Sequence, residues 1–416
     1  MRPCEAGKNE SSEILTKQSQ SVVGDKKTNA NTTEEISLCI LGHSDLRLWD
    51  MSPTTRLKRA FYRAGITKII DESDLGENLN PVIIVRGDAI LDEPLVAHLV
   101  TNVNLMIRGD GPDGSVPVAA HVTADNSLKT ADAINHEIDN EVPGVSIQTP
   151  DDLDASYWKA LRKRETPYAL VITPENSADV QWRVFMGTYK GATDFITKHV
   201  WPCPAFHITR LIAPHGITPN IVTTLSAFMV ILAFYWFMKG DYISGLIAAW
   251  MMTFLDTVDG KLARVTLTSS PWGNVFDHGI DLIHPPFWYW AWGAGLVLAG
   301  TPLSQDTLYW LFAVIIGGYV LQRVLEGLAI TAFGIEIHIW RPIDTFFRQI
   351  TARRNPNLAI LTLSVIFQRP DYGLYAVAGW TAICLVLHGL QFIQAWVEKR
   401  KNGPLSSWLT KPADTP

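Results

Sequence analysis

Asp256 and Asp259 stand three residues apart and Asp277 and Asp281 four apart, between two apolar segments. On helices, either spacing puts both carboxylates of a pair on one face, one turn above the other. An ionised side chain inside or at the edge of a membrane span costs about 2.5–3.5 kcal/mol on insertion scales, and it persists where it has a function or a partner. Four such acids facing one another repel, and cations relieve the repulsion. An all-oxygen donor set suits Mg²⁺, Mn²⁺ or Ca²⁺ far better than Zn²⁺. Two such ions roughly 3.5–4 Å apart are a recurrent device for displacement at phosphorus. Gly260 removes a side chain where a bulky ligand could press on the helix. Arg264, one turn further on, offers a planar cationic fork for phosphate oxygens. The stretch therefore points to phosphoryl transfer at a membrane surface.

Through Asp256, Asp259, Gly260, Ala263, Arg264, Gly273, Asp277 and Asp281 the chain fits D-x2-D-G-x2-A-R-x8-G-x3-D-x3-D without a gap. In this it resembles the CDP-alcohol phosphotransferase (CDP-alcohol phosphatidyltransferase) family. The resemblance implies two divalent ions, Mg²⁺ or Mn²⁺, held by Asp256, Asp259 and Asp277. It makes Asp281 the general base on the acceptor hydroxyl, close enough to the ions to serve as a ligand too. Gly260, Ala263, Arg264 and Gly273 would line the nucleotide site. The partners it implies are a CDP-linked donor, either CDP-diacylglycerol or a soluble CDP-alcohol, an alcohol acceptor, membrane lipids and a second copy of the chain in a homodimer. The motif is common to members in which the lipid is the donor and members in which it is the acceptor, so that choice stays open.

The elements that must position these residues follow from the uneven composition. The 416 residues are 47% hydrophobic and 18% charged, with most of the charge in the first two hundred and most of the apolar runs after them. This implies a soluble part joined to a membrane part. A net charge of -6 gives no reason to expect nucleic acid. The four cysteines, Cys4, Cys39, Cys203 and Cys384, are far apart with no CxxC spacing, and read as buried small hydrophobes rather than a metal site or disulfide framework. Residues 1–35 are polar without period and are expected to be a disordered tail; they lack the long apolar core of a secretory signal.

From residue 36 to 180, short apolar runs alternate with amphipathic segments, which predicts an α/β domain with a mainly parallel sheet. Ser52 before Pro53 is a helix start and Gly65 a helix stop. The order loosely resembles the nucleotidyltransferase-like fold of sugar-nucleotide pyrophosphorylases, with GHSDLRLWDM in place of the glycine-rich loop and VRGDAIL similar to the strand ending in a metal-binding aspartate, here Asp88. Only Gly42 remains of the glycines that would cradle a triphosphate, which favours a degenerate domain kept for binding or regulation. His43, Asp45 and Arg47 read as loop polars. DDLDASYWKALRKRE predicts an amphipathic helix, PYALVITPEN a strand, and SADVQWRVFMGTYKGATDFITKHV one long connecting helix whose Lys190, Asp194 and Lys198, one turn apart, read as a solvated face ahead of the alternative that they reach the active site.

Residues 181–216 are expected to be connecting and interfacial helices, with the aromatic and proline-rich 201–215 lying in the headgroup plane. An all-α membrane domain of about six transmembrane helices then covers 217–400, with spans near 221–238, 243–262, 274–299, 307–333, 357–368 and 373–397. The fifth is shorter than the roughly 20 residues of a full span. Residues 401–416 form a tail. Lysines and arginines concentrate in the loops after the second and fourth spans and in the tail, so the positive-inside rule turns both ends and the four aspartates to the cytoplasm of a multi-pass plasma (inner) membrane protein. Arg323 and Glu326, one turn apart, pair with each other or reach a substrate phosphate. Arg341, Arg353 and Arg354 read as membrane anchors ahead of the alternative that they bind a phosphorylated acceptor, and the tryptophans of WYWAW as packing and lipid-facing groups. A bifunctional enzyme whose soluble half makes the CDP-alcohol, and a cation-transport protein, are the competing readings. Transport would favour acids near the midplane and inverted repeats, and the sequence shows neither.

Overall fold

A computed structural model describes residues 35–137, 142–153 and 157–410; the expected disordered tail over 1–35 and Cys4 lie almost wholly or wholly outside them. Beyond residue 35 the chain is a single compact unit. It begins with an α/β region and continues as helices alone.

The α/β region is built on β1 (Ser37–Leu41), α1 (Pro53–Arg63), β2 (Lys68–Ile70), β3 (Val82–Arg86), β4 (Ala89–Leu91), α2 (Glu93–Thr101), β5 (Leu105–Gly111), β6 (Gly114–Val122), α3 (Ser127–Asn135), β7 (Ser146–Gln148) and β10 (Ala169–Val171). Its eight-stranded sheet runs β2-β1-β3-β6-β5-β10-β4, with β7 beside β5. The sheet is mixed, with parallel pairings of β1 with β2 and β3 and of β5 with β7 and β10, while β6 lies antiparallel to both β3 and β5 and β4 antiparallel to β10. The cause is the turn Gly111-Pro-Asp-Gly114, a tight hairpin signal that reverses the chain between β5 and β6. Helix α1 starts as expected, with Ser52 Oγ accepting from Thr55 N at 3.2 Å and Pro53 in the first turn.

Two predicted helices are not formed as expected. Residues 157–164 make a small hairpin, β8 (Tyr157–Trp158) and β9 (Lys163–Arg164), around a 3₁₀ turn in which Arg162 is left-handed with φ of 48°. The expected connecting helix breaks after α4 (Ser177–Gly187) and resumes only as a π turn over Ile196–Val200. Within the break Gly191 lies against the hairpin, where only glycine fits, because a Cβ there would stand 2.4 Å from Arg162 O.

Helix α5 (Pro202–Ile212) leads to α6 (Pro219–Met238), α7 (Tyr242–Val265), α8 (Pro271–Gly295), α9 (Gln305–Phe333), the short α10 (Pro342–Arg348), α11 (Arg354–Ile366) and α12 (Pro370–Asn402). Every segment expected to be a span is helical over most of its length, but among the described residues only α6, α9 and α12 are long and apolar enough to cross a membrane by length and composition. Helices α7 and α8 carry the aspartates, and α11 has 13 residues. Side-chain caps fix the starts: Thr218 for α6, Asp241 for α7, Ser270 for α8 and Ser304 for α9 each accept a backbone N–H. The helices share a core that includes Phe237, Tyr242, Trp288 and Trp292. Trp292 donates to Pro370 O at 2.9 Å, whereas Trp290 is exposed, the mixture of packing and outward-facing rings expected of WYWAW. Gly295 allows the last turn of α6 to touch α8, since a Cβ would stand 1.9 Å from Phe237 O.

A third apolar cluster joins the two regions. Leu48, Trp49 and Ile90 of the α/β region pack with Phe185, Phe206 and the α7 residues Val258, Leu262 and Val265. The carbonyls at the end of α7 are closed from the same side, by Arg56 Nη1 to Val265 O at 2.5 Å and Arg59 Nη1 to Thr266 O at 2.9 Å. Cationic donors are favourable at a helix C-terminus. Of the described cysteines, Cys39 and Cys384 are buried as expected, but Cys203 is exposed. In the C-terminal tail, Leu409 is buried and Trp408 Nε1 donates to Thr345 at 2.9 Å.

Candidate active site

Helices α7 and α8 bring all eight motif residues, Asp256, Asp259, Gly260, Ala263, Arg264, Gly273, Asp277 and Asp281, to the wall of one cavity of about 440 Å³. One carboxylate oxygen each from Asp256, Asp277 and Asp281 lies within 4.8 Å of the others. Asp259 is placed differently. It is buried, and its Oδ2 accepts from Thr223 Oγ1 of α6 at 2.6 Å while Oδ1 has no partner. A buried carboxylate oxygen left unpaired is costly. Both observations fit a hard cation among these groups, as does the absence of nitrogen and sulfur from the set.

The glycines leave room rather than shape. A Cβ on Gly260 would meet nothing but the Arg264 guanidinium, at 3.5 Å, so the helix face there opens to the cavity. On Gly273 it would meet Asn220 Oδ1 and Ser270 Oγ at 3.0 Å. Lys261 is turned away from the cluster, donating to Thr188 O at 3.2 Å with its ammonium 3.3 Å from the Tyr189 ring centre.

Arg354, expected to be a membrane anchor, is in the site. It bridges the acids, donating to Asp256 Oδ2 at 2.6 Å and to Asp281 Oδ1. Sequence order hides this, because Arg354 lies 73 residues beyond Asp281 and is brought back by the first turn of α11. Arg353 and Arg341 are not simple anchors either. Arg353 pairs with Glu326 at 2.5 Å, and Arg341 with Asp344 at 2.9 Å. Arg323 pairs with Glu326 at 2.7 Å, the first of its two sequence readings, and it also lines the cavity. His338 Nε2 is 3.1 Å from the same Glu326 oxygen. Burial pushes its imidazole down to about 3, so it is neutral and the positive charge around Glu326 belongs to the arginines. Arg348 also lines the cavity, with Nε and Nη1 unpartnered.

The expected solvated face of Lys190, Asp194 and Lys198 is divided. Lys198 is exposed, whereas Lys190 and Asp194 line the cavity. Asp194 accepts from Asn355 Nδ2 at 2.9 Å. In the α/β region Asp88, considered as a metal ligand, is clasped by Arg86 through Nε at 3.0 Å and Nη2 at 2.9 Å. Arg47 forms a surface pair with Asp50.

Residues 216–353 match the family model of CDP-alcohol phosphatidyltransferase. The chain carries a CDP-alcohol phosphatidyltransferase domain. It is 28% identical over 205 residues to the archaetidylinositol phosphate synthase of Pyrococcus horikoshii, which covers 48% of this chain and 92% of that protein. It is 34% identical over 95 residues to the phosphatidylinositol phosphate synthase of Streptomyces avermitilis, covering 23% of this chain and 37% of that one. A solved phosphatidylinositol phosphate synthase of Mycobacterium tuberculosis, with CDP-DAG bound, aligns at 18% identity and a TM-score of 0.37 over 45% of this chain and 92% of its own. As a CDP-alcohol phosphotransferase the chain is a membrane transferase of phospholipid biosynthesis. All of the α/β region, with Arg162 and Lys190, lies before the matched segment, and Arg354 directly after it.

Proposed function

We propose that the cavity transfers a substituted phosphate from a CDP-linked donor to the hydroxyl of a phosphorylated polyol, releasing CMP. The observation that carries this reading is the convergence of Asp256, Asp277 and Asp281 on one cavity that Arg323, Arg348 and Arg353 also line. The acids fit divalent cations, Mg²⁺ or Mn²⁺, and the arginines fit the phosphate of an acceptor. The names of the Pyrococcus and Streptomyces relatives, both synthases of an inositol phosphate lipid, agree with such an acceptor.

When bound, the cations neutralise the donor's diphosphate and the CMP that leaves. Asp256, Asp277 and Asp259 would hold them, with Asp281, whose carboxylate converges with those of Asp256 and Asp277, close enough to share in the set. Gly260 and Ala263 leave space for the nucleotide, and Arg264 faces its phosphate oxygens. Arg354 holds Asp281 in place, and Asp281 takes the proton of the acceptor hydroxyl as that oxygen bonds to the β-phosphorus. The bond from this phosphorus to the bridging oxygen breaks, and the oxygen leaves with CMP. The apolar core shared by α6, α7, α8, α9, α11 and α12 supports six membrane-embedded helices, of which α6, α9 and α12 are long and apolar enough to cross by themselves. Lysines and arginines beside the aspartate end support a cytoplasmic active site at the inner membrane.

The Arg86 clasp on Asp88 and the lone Gly42 support a non-catalytic α/β region. Incubating the full chain with CTP and polyol phosphates should then release no pyrophosphate. The transferase reading is tested by release of labelled CMP from CDP-diacylglycerol and from soluble CDP-alcohols, each with and without inositol phosphate. CMP release that requires the phosphorylated acceptor supports it. Release from no donor contradicts it.

A further inference from the structure

Two cations reach the cavity from outside the matched domain. Arg162 comes from the β8–β9 hairpin of the α/β region and Lys190 from the break after α4, and both line the same cavity as the motif residues. Neither is placed by chance flexibility. Arg162 sits at a left-handed position, and its Nε donates to Glu336 Oε1 at 2.8 Å. The loop bearing Lys190 is tied to the hairpin by Gly191 N to Leu161 O at 2.9 Å, and any side chain at Gly191 would strike Arg162 O. Lys163 ties it from below, donating to Gly187 O at 2.5 Å. The same region closes the end of α7 through Arg56 and Arg59, so hairpin, loop and motif helix are held as one frame.

Among the described residues Lys190 has no ion-pair or hydrogen-bond partner, although Arg162, Arg264, Glu336 and Asp277 are all within electrostatic reach. Burial, helped by Arg162 and Arg264, pushes its ammonium down to about 8. An amine with no direct partner, lying beside two guanidinium groups, is short of one anion. A phosphate oxygen between Lys190, Arg162 and Arg264 would supply it.

We propose that the α/β region completes the transferase cavity, with Arg162 and Lys190 binding phosphate oxygens of a substrate on the Arg264 side. This rests on the transferase reading above and assigns the α/β region a share in substrate binding. The phosphate belongs either to the CDP-linked donor or to the phosphorylated acceptor, and the two sources separate experimentally.

The test uses the full chain in detergent, as wild type, Arg162→Gln and Lys190→Gln. Binding of CDP and of inorganic phosphate is followed by calorimetry, and KM for donor and acceptor from CMP release. Each substitution is expected to weaken one substrate about tenfold, the size of one charge-assisted hydrogen bond, with kcat within about threefold. Weaker CDP binding with a raised donor KM assigns the contact to the donor. Unchanged CDP binding with a raised acceptor KM and weaker phosphate binding assigns it to the acceptor. Arg162→Lys should recover part of the loss, which a merely structural arginine pairing with Glu336 would not show as a KM effect. CDP and phosphate affinities and both KM values within twofold of wild type for Lys190→Gln, which breaks no contact, would overturn the proposal. Wild-type protein that releases no CMP from any donor would instead remove the transferase reading itself.

Discussion

Two charged clusters share the wall of the cavity and are balanced in opposite ways. At one, Asp256, Asp259, Asp277 and Asp281 have, among the described residues, one arginine or lysine paired with them, Arg354, which bridges Asp256 and Asp281. At the other, the single carboxylate of Glu326 meets Arg323 and Arg353, with a neutral His338 beside it and Arg348 unpaired nearby. The first is short of positive charge and the second has it to spare. A buried cluster that balances itself needs nothing further, whereas these two need a cation and an anion from outside. A divalent ion and a phosphorylated substrate are the pair that would satisfy both.

The largest expected effect separates chemistry from binding within the acidic cluster. Asp281→Asn should lower CMP release about 10³-fold, within the range of a lost general base, while CDP affinity by calorimetry stays within about threefold. Asp256→Asn should lose both. Equal loss of CDP affinity in the two variants would erase the distinction.

Stability should divide the clusters next. Glu326→Gln leaves Arg323 and Arg353 facing each other without their carboxylate, and removing one partner of a buried pair costs about 3–5 kcal/mol. Asp277→Asn removes one of several like charges and should leave cation-free stability unchanged or raised. Denaturant titration of both variants in detergent checks the contrast, and a similar loss in each would contradict it.

A smaller effect concerns the frame. Arg56→Met removes a charged donor from the last carbonyls of α7 and should cost about 1–3 kcal/mol. Limited proteolysis of the α/β region would register it as faster cleavage.

Asp92 shows a third way to bury a carboxyl. Burial outweighs Lys163 and the Glu93 N–H and raises its pKa to about 7. A folded value above the unfolded one means that its contribution is fully present below about pH 4 and is lost as pH rises through 7. The thermal midpoint of wild type should therefore fall across that window more steeply than that of Asp92→Asn, which keeps a capping side chain. Parallel slopes would contradict this.

How much of this was legible in the sequence depends on the distance over which each contact acts. The aspartates share a cavity because their spacings of three and four residues are helical, and local geometry does the rest. Helix starts at Ser52 and Thr218 were readable for the same reason. Arg354 was not, since only the fold of α9 to α11 returns it to Asp281, and a basic pair beside a predicted span has the composition of an anchor. The hairpin around Arg162 was misread because KALRKRE has helical composition, while its left-handed turn depends on packing against Gly191. The antiparallel β6 was within reach, as GPDG between two apolar runs is a hairpin signal that the strand–helix alternation obscured.

The account depends on the acidic cluster taking up a divalent cation. Titration of Mn²⁺ into the full chain, followed by electron paramagnetic resonance, measures this directly. Wild type should show saturable binding that Asp256→Asn and Asp277→Asn abolish and Glu326→Gln leaves intact. Binding that is the same in all four proteins, or missing from wild type, would contradict it.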